Sequence, residues 1–65
     1  MKIIVNAEPR EVSNETLEDA LTELEFTSPA VATALNGRFV PREDYPKTSL
    51  SEGDRLEVLA PMQGG

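Results

Sequence analysis

The chain has 65 residues, with 12 acidic and 6 basic side chains, a formal charge of −6, and no Cys, His or Trp. A chain this short builds only one small hydrophobic core, which excludes a two-domain enzyme. Lacking Cys and His, it holds no disulfide framework, no thiolate or imidazole metal site, no thiol nucleophile and no Ser-His-Asp triad.

Binding to nucleic acid needs clustered Lys and Arg to displace counterions, so the acidic balance argues against a nucleic-acid partner and permits a basic protein. Hydrophobic residues make up 38 % of the chain, and their ordered recurrence predicts a folded domain. The longest aliphatic run, Ile3-Ile4-Val5, is too short for a membrane span or a signal-peptide core. A cytoplasmic protein with no membrane association is therefore expected.

In chain order, Lys2-Ile3-Ile4-Val5-Asn6 is β-branched, Ala7-Glu8-Pro9 offers a turn, and Arg10-Glu11-Val12 supplies a returning strand. Leu17, Ala20, Leu21 and Leu24 then fall on one face of a helix. Thr16 is the predicted N-cap, accepting from the backbone N–H of Asp19, whose carboxylate is placed to reach back as in a capping box. The helix is expected to end near Glu25, because Thr27-Ser28-Pro29 cannot continue it.

Beyond the helix, Val31 to Leu35 and Arg38-Phe39-Val40 flank Asn36-Gly37, the dipeptide of a two-residue type I′ turn, and predict a second hairpin. Pro41 to Ser51 reads as irregular, anchored by Tyr45 and Leu50. Ser51-Glu52-Gly53-Asp54 turns the chain into a last strand, Arg55 to Leu59, whose alternation puts Leu56 and Val58 on one face. The simplest way to bury every apolar face is to lay the single helix across one side of a mixed sheet of about five strands, where the last strand could pair in the middle beside the first. The fold class is α+β.

The character changes after residue 60, dividing the chain into a domain, 1–60, and a C-terminal tail, 61–65. Pro61 cannot donate to a ladder, and Gly64 and Gly65 carry no side chains, so a mobile tail is expected. Extended, Ala60 to Gly65 reaches about 20 Å, enough to enter another protein's active site. A terminal glycine carboxylate without neighbouring Cβ atoms suits a narrow channel, which Met62, Gln63 and Gly64 would thread.

The Gly65 carboxylate, with a reference pKa of about 3.3–3.7, is an anion at neutral pH and a poor electrophile until activated. Attack of its oxygen on the α-phosphorus of ATP would give an acyl-adenylate, from which a sulfur nucleophile displaces AMP. The sequence has no phosphate-binding glycine loop, and Gly37 and Gly53 sit at predicted turns. No catalytic residue, metal site or cofactor is assigned to this chain; ATP, Mg and the attacking sulfur must come from partners.

Four stretches, Val31-Ala32-Thr33-Ala34-Leu35-Asn36-Gly37, Val40-Pro41-Arg42-Glu43-Asp44-Tyr45, Gly53-Asp54-Arg55-Leu56-Glu57-Val58 and Met62-Gln63-Gly64-Gly65, together resemble the ThiS family of sulfur carrier proteins. The likeness covers essentially the whole chain; Tyr45 stands where that family often has Trp. The resemblance implies a ubiquitin-like β-grasp fold and a Gly65 carboxylate that is adenylated by an E1-like adenylyltransferase of the ThiF type. A sulfur donor protein would convert it to a thiocarboxylate, and a thiazole synthase of the ThiG type would take the sulfur for thiamine. The chain would be a cosubstrate, monomeric when free. Alternatives are a carrier resembling the small subunit of molybdopterin synthase, a ubiquitin-like protein modifier, and a β-grasp interaction module with an inert tail.

Strand alternation also places Ile4 and Leu59 on the sheet face away from the helix, near Met62, as a possible partner-docking surface. Glu15, Glu18, Asp19, Glu23 and Glu25 form an acidic stretch without Lys or Arg, read as a solvated face, with steering toward a basic groove as the alternative. Arg38 and Arg42 are read as loose surface bridges, with ion pairs to a partner as the alternative. Phe26, Phe39 and Tyr45 are read as packing residues.

Overall fold

Two strands, β1 (Lys2–Val5) and β2 (Glu8–Glu11), lead into α1 (Leu17–Glu23), followed by β3 (Ala32–Leu35), β4 (Arg38–Val40), a 3₁₀ helix (Arg42–Lys47) and β5 (Arg55–Leu59). This is a computed structural model, and it describes residues 1–60. The strands form one mixed sheet in the order β2-β1-β5-β3-β4. β5 lies parallel to β1 and antiparallel to β3, in the middle beside the first strand as expected. Among the described residues, no helix is long and apolar enough to cross a membrane.

The core follows from the two periodicities. Ile3 and Val5 on β1 and Leu56 and Val58 on β5 are buried, and α1 lays Leu17, Ala20, Leu21 and Leu24 against them. Val12, Val40, Tyr45 and Leu50 close the rim. The Tyr45 hydroxyl donates to Thr33 Oγ1 at 2.9 Å, so the buried Thr33 has a partner for its hydroxyl.

The first hairpin differs from its sequence reading. Its loop is Asn6-Ala7 alone, with φ of 50° and 71°, the left-handed pair of a type I′ turn, while Glu8 and Pro9 belong to β2. Pro9 stands opposite Ile4 and is tolerated because β2 is an edge strand. The second hairpin forms as predicted, with Asn36 and Gly37 at φ of 52° and 85°.

At the helix start, Thr16 Oγ1 accepts from Asp19 N–H at 3.3 Å, as expected of the N-cap. No return bond from the Asp19 carboxylate is found among the described residues; Thr16 lies opposite Ser49 in a bridge held by Leu17 N–H to the Thr48 carbonyl (2.8 Å) and Leu50 N–H to the Glu15 carbonyl (2.7 Å). The helix ends in a Schellman motif, in which Phe26 N–H donates to the Leu21 carbonyl (2.8 Å) and Glu25 N–H to the Thr22 carbonyl (3.0 Å). Glu25 occupies the left-handed position, φ 70°, where glycine is preferred. Glu25→Gly and, at the first turn, Ala7→Gly are each expected to stabilise the domain by about 1 kcal/mol, read as a higher midpoint in urea with an unchanged slope.

Candidate functional site

The chain leaves the sheet at the end of β5, and both neighbours of that strand fix where it does so. On the β3 side, Leu59 pairs with Ala32 and Val58 with Thr33. On the other side, β1 has already turned away after Val5, and the Asn6 side chain takes over. Its Oδ1 accepts from Val58 N–H at 2.9 Å, and its Nδ2 donates to the Val58 carbonyl at 3.1 Å. Asn36 plays the matching part at the start of the strand, accepting from Arg55 N–H at 2.8 Å and donating to Asp54 at 3.1 Å. Both asparagines adopt left-handed backbone angles that their short polar side chains tolerate.

Beside this exit lies an open apolar concavity of about 480 Å³ on the sheet face away from α1. Its shape follows from residue size: the small Ala32 and Ala34 on β3 lie between the large Phe39 on β4 and Leu59 on β5. Phe39 is 70 % exposed and Leu59 74 % exposed, so Phe39 is not a core packing residue as its composition suggested. Phe26 and Tyr45 do pack on the core. Ile4 is half-buried on the same outer face but pairs with Arg55 at the opposite end of β5, so the structure does not bring it together with Leu59. The cluster around Leu59 is instead Ala32, Ala34 and Phe39. Alternating small residues at positions 32 and 34 were the available signal for it.

Met62, Gln63, Gly64 and Gly65, the predicted threading residues and modified terminus, lie outside the described residues. Among the described residues no group of acidic side chains is arranged to hold a metal ion. The single ion pair there joins the Met1 α-amine to Glu11 at 3.7 Å, so among the described residues neither Arg38 nor Arg42 makes the surface bridge expected of it.

Glu23 is not a free member of the acidic face. It accepts from Ser13 N–H (2.9 Å), Ser13 Oγ (2.9 Å) and Asn14 Nδ2 (3.0 Å), fastening the end of α1 to the segment that enters it. These donors, the Ser13 N–H foremost, hold its carboxyl below the usual carboxylate range. A depressed folded-state pKa gives stability that is present above the unfolded value, about 4.3, and lost as pH falls through the folded one. Thermal midpoints measured from pH 7 downward should therefore fall more steeply below that value for the native chain than for Glu23→Gln.

Comparison with known proteins fits this architecture. The model of the ThiS family matches residues 3–65. The chain belongs to the ThiS family. Its sequence is 38 % identical over 61 residues to the sulfur carrier protein ThiS of Thermus thermophilus, covering 94 % of this chain and 95 % of that one. Among solved structures, the crystal structure of the thiamine biosynthesis protein ThiS from Geobacter metallireducens superposes with a TM-score of 0.83, at 30 % identity and over the full length of both chains. The five-stranded mixed sheet with one main helix across it is the β-grasp of that ThiS neighbour.

A thiazole synthase of Paramagnetospirillum magneticum is also 38 % identical over 66 residues, which take in all of this ThiS-family chain. The chain spans only about a fifth of that relative, 20 % of its length.

Proposed function

We propose that this chain is a sulfur carrier of thiamine biosynthesis whose Gly65 carboxylate is the working group. The observation that carries the reading is the ThiS family match, which runs through Gly65, together with nearly complete mutual coverage with a protein named as a ThiS sulfur carrier. The chemistry starts with the Gly65 carboxylate oxygen attacking the α-phosphorus of ATP on a ThiF-type E1-like enzyme, which supplies ATP and Mg. Pyrophosphate leaves and a mixed anhydride remains. The terminal sulfur of a persulfide on a donor protein then attacks the acyl carbon and AMP departs, leaving an acyl disulfide. A thiol attacks the donor-side sulfur, the S–S bond breaks, a disulfide forms on the donor, and Gly65 is released as a thiocarboxylate. The chain contributes no catalyst to these steps; it is a protein cosubstrate.

Delivery to a ThiG-type thiazole synthase completes the cycle, a partnership supported by the ThiS-like region within a thiazole synthase relative. The apolar concavity around Leu59 and Phe39 serves as a docking surface beside the point where the chain leaves the sheet. Pyrophosphate release from ATP by the activating enzyme tests the first step. It should depend on this chain and cease when the Gly65 carboxyl is amidated; release that continues with the amidated chain would refute the assignment.

A further inference from the structure

We propose that Asn6 is a positioning residue for the chemistry at Gly65, because its side chain completes the ladder that aims the exit from the sheet. The inference rests on the sulfur-carrier reading. The backbone pairing of β1 with β5 covers Ile4↔Arg55 and Val5↔Leu56, and Asn6 N–H donates to the Leu56 carbonyl at 2.9 Å. The next rung would need backbone beyond Asn6, but the type I′ turn carries that backbone toward β2. A carboxamide has the donor and acceptor of a peptide group, and the Asn6 side chain meets both polar groups of Val58 with it.

Two residues after Val58 the chain reaches Ala60, the last described residue. Without the Asn6 clasp, the final turn of ladder would be held from the β3 side alone. The end of β5 would then sample more directions, and fewer docked molecules would place Gly65 in line with the nucleotide. Orientation of this kind acts on turnover rather than on docking.

Asn6→Gly tests the idea while keeping the left-handed turn, since glycine accepts a φ of 50° freely. Amide exchange at Val58 should quicken by about tenfold or more, while exchange at Ile4, whose N–H donates to the Asp54 carbonyl, stays as in the native chain. In adenylation assays with the ThiF-type enzyme, kcat should fall by about tenfold; Asn6 also lines the concavity beside the exit, so the fall in kcat at saturating chain, and not KM, is the deciding readout. A merely structural role would show the opposite split, with a reduced folded fraction raising the apparent KM at constant kcat. Asn6→Asp provides a second variant if the glycine chain does not fold. It keeps the acceptor for Val58 N–H but sets an oxygen against the Val58 carbonyl, and it should also lose kcat. Unchanged kcat in a folded variant, or unchanged exchange at Val58, would overturn the proposal. A native chain that the enzyme does not adenylate at all would instead overturn the carrier reading beneath it.

Discussion

A chain lacking Gly65 is expected to fold as the native chain does, to compete with it for the activating enzyme, and to accept no sulfur. Every buried core residue of the described domain lies from Ile3 to Val58, so the deletion takes away none of those residues, and glycine has no side chain to contribute. It does leave a carboxyl on Gly64, but one residue, about 3.8 Å, short of its place. Since a misplacement of about 1 Å costs roughly a hundredfold in rate, adenylation should fall by at least that factor. Circular dichroism checks the fold, pyrophosphate release checks the chemistry, and inhibition of the native reaction checks docking. A truncated chain that is unfolded, or one activated at the native rate, contradicts the proposed division between domain and working terminus.

Leu56→Ala is expected to have the largest effect on stability. Leu56 is fully buried in the central strand, paired with Val5 on β1 and Leu35 on β3, and alanine in its place removes a buried isopropyl group. Truncation in such sites costs about 2–5 kcal/mol. A domain below about 70–80 residues seldom gains more than about 3–5 kcal/mol from its core, so much of the population should unfold at 25 °C. Three positions along the same strand, Leu59 is 74 % exposed, and Leu59→Ala should stay within about 0.5 kcal/mol of the native chain. Urea titrations of the two variants read the contrast directly, and equal losses would contradict the assignment of the two sheet faces.

Much of this fold is legible in local pattern. The spacing of Leu17, Ala20, Leu21 and Leu24, the Thr16 cap, the Asn36-Gly37 turn and the alternation of Leu56 and Val58 all depend on neighbours within one or two turns of chain, where physical preferences are strong. The first turn misleads because Pro9 is ordinarily turn punctuation, and only the edge position of β2 makes it acceptable in a strand. Pro46 similarly conceals the short 3₁₀ helix that carries Tyr45 into the core. Phe39 is identified as exposed by the inward direction of its neighbour Val40, a signal that the usual burial of phenylalanine obscures.

Features of the site that join distant segments leave no local trace. The Asn6–Val58 clasp spans 52 positions in sequence, and nothing around Asn6 announces it. Glu23 looks like one more solvated acid until Ser13 and Asn14 are placed beside it. The concavity beside the exit needs β3, β4 and β5 assembled in order, although its two small residues alternate visibly in the sequence.

Mass spectrometry of the chain purified from its own cells, during active thiamine synthesis, probes the role of Gly65 most directly. A fraction of intact molecules should be heavier by one oxygen-to-sulfur exchange, and tandem fragmentation should confine that change to Gly65. Molecules that carry no sulfur under those conditions, or that are recovered joined through Gly65 to lysines of other proteins, would contradict a carrier whose terminal carboxyl conveys sulfur.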